Sequence, residues 1–263
     1  SMHDVFDAIS TLASESGVKV EESEIVGLVP QEAITKASVH YLSLSNFSPN
    51  QIIENRIFAA EAKSSSPKLV SLSLGEFADR VSSKSPTPGG GSVAAYAGAL
   101  AASLVAMVCE LTIDRKKYES SWARAGEILG QSLELKSSLL ELVDRDAAAY
   151  EQVSAVFKLP KSTDEEKAVR QNGLVAALKN ATEVPRNTVQ FSHRVLLLAN
   201  EIGKIGNKNA VSDAQTASQL SKAAILGAFD NVKINLDGLP SEEAEYSRKI
   251  YQDLEPIIQE VSR

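Results

Sequence analysis

Pro86-Thr87-Pro88-Gly89-Gly90-Gly91-Ser92-Val93-Ala94-Ala95-Tyr96-Ala97-Gly98-Ala99-Leu100, continuing as Ala101-Ala102-Ser103-Leu104-Val105-Ala106-Met107-Val108-Cys109, is a glycine-rich loop leading into a long stretch without a charge. The uncharged part, residues 92–109, has the length of a membrane span. Its composition argues otherwise. Alanine dominates it, Tyr96, Gly98 and Ser103 interrupt it, and no aromatic belt flanks it. It reads as a buried helix at the centre of a soluble helical domain, so no membrane partner is expected.

The same organisation extends outward from this stretch. Residues 74–81 form a short helix stopped by Pro86 and Pro88. A long helix covers about 120–157 and stops at Pro160. Ser162-Thr163-Asp164-Glu165 has the capping-box pattern and opens a helix expected to end near Pro185. The next helix runs from there to Ile205, closed by Gly206. Ser212-Asp213-Ala214-Gln215 fits a second capping box, whose helix reaches about Leu236. The last helix carries Tyr246, Ile250, Leu254, Ile257 and Val261 as one apolar stripe. Long helices joined by short connections give an antiparallel bundle over residues 71–263.

Residues 1–60 read differently. A short helix carrying Val5, Phe6, Ile9 and Leu12 ends at Gly17, a suitable left-handed cap. Residues 18–20 and 25–29 are rich in β-branched side chains and read as strands. Pro30 then opens a helix to about Leu44, and Ser48-Pro49 opens another through Ile57. The expected fold is therefore mainly α, with a small N-terminal α/β unit and a serine-rich linker at 61–70. The N-terminus does not look like a signal peptide, and Met2 is the expected native start. The expected compartment is the cytoplasm. A net charge of −7 with no block of basic residues excludes a nucleic-acid footprint. A single cysteine and three scattered histidines make no zinc site, so no metal is expected.

Several clusters could carry chemistry. The loop of Pro88, Gly89, Gly90, Gly91 and Ser92 can bring backbone N–H groups and a helix N-terminus close to an anion, or can merely allow helices to pack closely. Asp146 shares an apolar stripe with Leu139, Val143, Tyr150, Val153 and Phe157, whereas Asp144 lies on a mixed face. A carboxyl in an apolar seam has the raised pKa of a proton donor, or else pairs with a cation across the bundle. Arg115, Lys116 and Lys117 either cap a helix C-terminus or capture an acidic ligand tail. Asn207 and Asp213 stand in a polar loop that leads into a helix. Asn231 and Asn235, one turn apart, can read the edge of a heterocycle or bond across helices.

Taken in order, these residues resemble the formimidoyltransferase-cyclodeaminase family. The resemblance runs through Pro86 to Ala95, Leu111-Thr112, Val143-Asp144-Arg145-Asp146-Ala147, Leu159-Pro160-Lys161 and Glu165-Glu166-Lys167. It continues through Asn207 with Ser212-Asp213, Gly227-Ala228-Phe229-Asp230-Asn231-Val232 and Asn235-Leu236. Residues 23–30 resemble the last strand–helix unit of the transferase domain, so residues 1–60 look like its remnant and transferase activity should be missing. The resemblance implies conversion of 5-formimidoyltetrahydrofolate to 5,10-methenyltetrahydrofolate and ammonia in histidine degradation, with no cofactor beyond the tetrahydrofolate substrate. It makes Asp146 the general acid/base. The 88–92 loop, Asn207, Asp213, Asn231 and Asn235 become substrate contacts, and Lys116 and Lys117 meet a glutamate or polyglutamate tail. A homodimer is implied, and a separate formimidoyltransferase polypeptide is a partner to test. The alternatives are a methenyltetrahydrofolate cyclohydrolase and a non-catalytic folate-binding or assembly module.

Overall fold

The structure is a computed structural model that describes residues 1–53 and 68–262. The chain divides into two units, Ser1–Ser66 and Pro67–Arg263. In the first, helix α1 (Met2–Glu15) packs on α2 (Gln31–Tyr41). Tyr41 donates from its hydroxyl to Asp7 at 2.7 Å, and the His3 and His40 rings stack at 4.3 Å. Gly17 caps α1 in the left-handed conformation, with φ 73°.

The strands expected at 18–20 and 25–29 do not form, and no strand occurs among the described residues. Among the described residues this unit is therefore α alone, and the expected α/β arrangement is not found there. A strand needs a neighbour to accept and donate its ladder bonds. None is present among the described residues, and Val26 and Leu28 project into solvent, 87% and 106% exposed. The helix expected from Ser48 begins as a 3₁₀ turn, Pro49–Gln51, and its remainder lies outside the described residues. So does most of the expected linker at 61–70, whose last residues belong to the 3₁₀ turn Leu69–Ser71.

The second unit is a helical bundle built around the alanine-rich segment. Its elements are α3 (Leu74–Val81), α4 (Gly90–Glu110), α5 (Trp122–Phe157), α6 (Asp164–Ile205), α7 (Val211–Asp237) and α8 (Ala244–Val261). Helix α4 is long and apolar enough to cross a membrane, but in this fold it is the central rod of the bundle. It touches α5, α6 and α7, so its packed faces must be small, and Ala95, Ala99, Ala101, Ala102 and Val105 are buried in those contacts, while Val93, Leu100 and Met107 form an exposed stripe.

Register follows from specific pairs. Residues 92 and 98 of α4 meet 146 and 139 of α5, while 90 and 94 meet 231 and 227 of α7, so both neighbours run antiparallel to α4. Arg124 and Gln152 of α5 bond Glu201 and Asn180 of α6, another antiparallel pair. Helix α8 seats Ile250, Leu254 and Val261 beside Val189 and Leu196 of α6 and Ile225 and Val232 of α7.

Two local expectations at helix ends are corrected. Thr163, not Ser162, is the N-cap of α6, and its reciprocal partner is Glu166. The second capping box does not form at Ser212. A 3₁₀ turn capped by Asn207 leads straight into α7, so the chain is already helical at Val211.

The helix break expected at Pro185 is also absent, because α6 runs unbroken for 42 residues with that proline inside. Proline has no N–H for the carbonyl four residues back, which here is Ala181. Asn235 of α7 supplies the missing donor, its Nδ2 reaching Ala181 O at 2.8 Å. The defect is repaired from a neighbouring helix, as happens where packed partners can re-satisfy a freed backbone group.

Candidate active site

Helix α4 starts at Gly90, so the backbone N–H groups of its first turn have no partner within the helix. Asp146 of α5 is delivered to this end. Ser92 is completely buried, and its Oγ lies 2.8 Å from Asp146 Oδ2 and 3.1 Å from Val143 O. One hydroxyl proton thus faces two acceptors. With Asp146 ionised, Ser92 donates to the carboxylate. With Asp146 protonated, the acid can donate to Ser92 Oγ while Ser92 turns its own proton to the Val143 carbonyl. Both protonation states are satisfied without movement of the backbone.

The glycine at 91 is a steric requirement of this arrangement. A Cβ built there would stand 2.1 Å from Asp146 Oδ1 and 2.6 Å from its Cγ. The carboxyl therefore occupies the space that any other side chain at 91 would fill. Burial pushes the Asp146 pKa above its ordinary value, outweighing the opposing pull of the Ser92 hydroxyl and backbone N–H. The result is an acid that holds its proton to higher pH than an exposed aspartate while staying in reach of both forms.

Asp146 opens into a cleft of about 400 Å³. Gly89, Gly90 and Gly91 form one wall, with Pro86 and Thr87 beside them. Ala149, Tyr150, Val153 and Phe157 continue the α5 stripe, Leu174, Leu178 and Ala181 come from α6, and Asn231, Ile234 and Asn235 come from α7. The walls are largely apolar, with Asp146 and the amides at one end, which suits a flat heterocyclic or aromatic ligand. Asn231 donates from Nδ2 to Gly227 O at 2.8 Å, which leaves its carbonyl oxygen and second N–H for a ligand. Asn235 keeps its carbonyl oxygen after serving Ala181. A larger cleft, about 640 Å³, lies on the N-terminal unit, and a groove of about 490 Å³ lies between α6 and α7. The first is lined by the half-buried or exposed His3, Glu32, Lys36 and His40, and the second has no titratable side chain in its wall; the Asp146 cleft is the one of the three that sets a buried carboxyl in an apolar lining.

The structure brings together only part of the expected set. Gly89, Gly90, Gly91, Asp146, Asn231 and Asn235 line one cleft, and Ser92 sits behind Asp146, out of a ligand's reach. Pro88 is buried after the cis Thr87–Pro88 peptide and is not in the wall. Lys116 and Lys117 lie beyond the far end of α4, and its 21 residues separate them from Gly90 by roughly 30 Å. Asn207 is at that far end too, and both ends of its side-chain amide are engaged in local bonds. It donates to Leu111 O at 2.8 Å and accepts from Asn209 N–H at 3.0 Å, while its backbone N–H bonds Thr112 Oγ1 at 2.9 Å. Asp213 stands in the first turn of α7, about 27 Å along that helix from Asn231. These four side chains belong to the other end of the bundle from Asp146. Asp144 accepts from the Leu69 backbone N–H and so fastens the Leu69–Ser71 turn to α5.

The sequence reading missed the α6 contribution, Leu174, Leu178 and Ala181, and the buried role of Ser92. An apolar spacing of four between Leu174 and Leu178 was available as a signal, but nothing in it pointed to α5 rather than another partner. Among the described residues no group of three or more His, Cys, Asp and Glu side chains is placed to hold a metal ion.

Comparison with known proteins adds the following. A family model described as formiminotransferase-cyclodeaminase matches residues 73–255, and one described as formiminotransferase domain matches residues 1–58. A methenyltetrahydrofolate cyclohydrolase from Methylorubrum extorquens is 38% identical over 184 residues, covering 70% of this chain and 88% of that protein. The formimidoyltransferase-cyclodeaminase of Mus musculus is 29% identical over 99% of this chain, which spans 52% of the mouse protein, about half its length. The crystal structure of formiminotetrahydrofolate cyclodeaminase from Thermotoga maritima superposes with a TM-score of 0.65 at 30% identity, covering 74% of this chain and 92% of that one.

Proposed function

Since the chain belongs to the formiminotransferase-cyclodeaminase family, whose members act on folates, we propose that it is a formimidoyltetrahydrofolate cyclodeaminase with Asp146 as its general acid/base. The observation that carries this reading is Asp146 itself, a carboxyl with its pKa raised by burial, set at the polar end of an apolar cleft. In the reaction, N10 of the folate attacks the formimidoyl carbon carried on N5 and a new N10–C bond forms. The N10 proton must leave and the amine must gain one before the C–N bond to ammonia breaks. A single carboxyl that is stable in both protonation states can take the first proton and deliver the second. Ser92 supports both states, and an apolar cleft that orients the folate with N10 against the formimidoyl carbon would add the advantage of proximity.

A cyclohydrolase reading is favoured by the 38% identity to the Methylorubrum extorquens protein. There the same carboxyl would deprotonate a water attacking the methenyl carbon and protonate the departing nitrogen. The discriminating experiment offers 5-formimidoyltetrahydrofolate and 5,10-methenyltetrahydrofolate separately. A cyclodeaminase releases one ammonia for each methenyl chromophore formed from the first substrate. A protein that only bleaches the second is a cyclohydrolase.

A further inference from the structure

The Asp146 cleft contains no Lys, Arg or His in its wall, yet a folate ends in a glutamyl group bearing two carboxylates. Those anions must leave the cleft at the end away from Asp146, where Phe157 and Leu174 stand. Asp146 and Phe157 are eleven residues apart on α5, about 16 Å along the helix.

Arg170 stands at that mouth. It lies one turn before Leu174 on α6, and its guanidinium is placed over the Phe157 ring at 5.6 Å from the centroid. Stacking on an aromatic face holds the planar group in place. Most of its hydrogen-bonding capacity is nonetheless unspent. Nη2 makes one long contact, 3.5 Å to Phe157 O, and Nε is buried without a partner. No carboxylate pairs with Arg170 among the described residues, in contrast to Arg124 and Arg186, which are each held by two acids. The nearby acids are engaged elsewhere: Glu166 closes the Thr163 capping box, and Asp164 pairs with Lys167. Lys158 and Lys161, on the connection from α5 to α6, are exposed and add positive charge to the same rim. The side chain as a whole is only half-buried, and its Nη groups keep N–H donors that a ligand carboxylate can take as charge-assisted hydrogen bonds.

We propose that Arg170, supported by Lys158 and Lys161, forms the carboxylate subsite that receives the glutamyl tail of the folate. This rests on the folate reading of the Asp146 cleft and assigns the tail to the α5–α6 mouth, not to Lys116 and Lys117. Arg170 binds the first glutamate through charge-assisted hydrogen bonds, and the two lysines meet any further glutamates.

The test is equilibrium binding to the full chain of two stable probes, 5-formyltetrahydrofolate and 5-formyltetrahydropteroate, which lacks the glutamate. Loss of a charge-assisted hydrogen bond corresponds to about tenfold or more in affinity. Arg170→Ala should therefore weaken the glutamate-bearing probe by about tenfold or more and leave the pteroate within about twofold. Arg170→Lys should recover part of the loss, which a purely structural role would not grant. Lys161→Ala should matter more for a triglutamate than for a monoglutamate. Equal weakening of both probes by Arg170→Ala, or no weakening of either, overturns the subsite while leaving the folate reading intact. Wild-type protein that binds neither probe overturns the folate reading and the subsite with it.

Discussion

Replacing Gly91 with alanine tests the geometry of the site with a single methyl group. The added Cβ would lie 2.1 Å from Asp146 Oδ1, whereas ordinary contact begins near 3.4 Å, so the carboxyl has to retreat by roughly 1.3 Å. It cannot do so and keep the 2.8 Å bond to Ser92, which is fixed by burial in α4. A displacement of about 1 Å at a catalytic group costs on the order of 100-fold in rate, and Gly91→Ala should lose at least that much turnover. Alanine is otherwise the better helix former by roughly 0.5–1 kcal/mol. Gly126 and Gly130 are exposed on α5 with nothing within 4 Å of an added Cβ, and they are the matched controls. Alanine at either should stabilise the fold by about that amount in a denaturant titration and leave the rate unchanged. Steady-state formation of the methenyl chromophore and urea unfolding of the three variants give both numbers. Full activity in Gly91→Ala would refute the argument that Asp146 occupies the space above this glycine.

Three further outcomes follow from the same contacts. Ser92→Ala removes a hydroxyl that favours the ionised carboxylate, so the Asp146 pKa should rise further and the pH limb assigned to this acid should move to higher pH; an unmoved limb would contradict the shared-proton arrangement. Asn235→Ala leaves the Ala181 carbonyl unsatisfied and should cost about 1–3 kcal/mol in chemical denaturation. Adding Pro185→Ala restores a backbone N–H to that carbonyl and should recover most of the loss, whereas simple additivity of two destabilisations would show that the amide does not compensate for the proline. Asp146→Asn should stabilise the protein near neutral pH. Below the ordinary value of 3.8 both folded and unfolded chains hold the proton and the acid carries no penalty. Between there and the raised folded value the unfolded chain ionises first, so stability falls as pH rises and then levels off. Thermal unfolding across pH should show the wild type losing stability over that window relative to the asparagine variant; parallel curves would contradict a raised folded pKa.

The helical bundle and the burial of Asp146 were legible in the sequence because both follow from the pattern along single helices. Asp146 lies on the same α5 stripe as Val143 and Val153, so its burial could be read from spacing. The remote ends of the site could not be assembled in that way. Lys116 and Lys117 follow the glycine-loop helix closely in the chain, but a helix of 21 residues converts that proximity into roughly 30 Å. Helix length was itself readable, so this separation could have been foreseen. The continuity of α6 through Pro185 could not, because its remedy, Asn235, lies fifty residues downstream on another helix. The β-branched residues at 18–20 and 25–29 favour strand, yet strand is a relation between segments, and no second segment pairs with them among the described residues. Arg170 escaped notice because its distinguishing property, a buried donor with no acceptor, exists only once Phe157 has folded beneath it.

The central claim is that Asp146 carries the proton for a reaction of a bound folate. It is tested by supplying 5-formimidoyltetrahydrofolate to wild-type and Asp146→Asn protein in parallel, with methenyl absorbance, released ammonia and binding of 5-formyltetrahydrofolate all recorded. The account predicts that the asparagine variant binds the probe with near wild-type affinity and loses turnover by about 100-fold or more. An asparagine variant that turns over at the wild-type rate would contradict it.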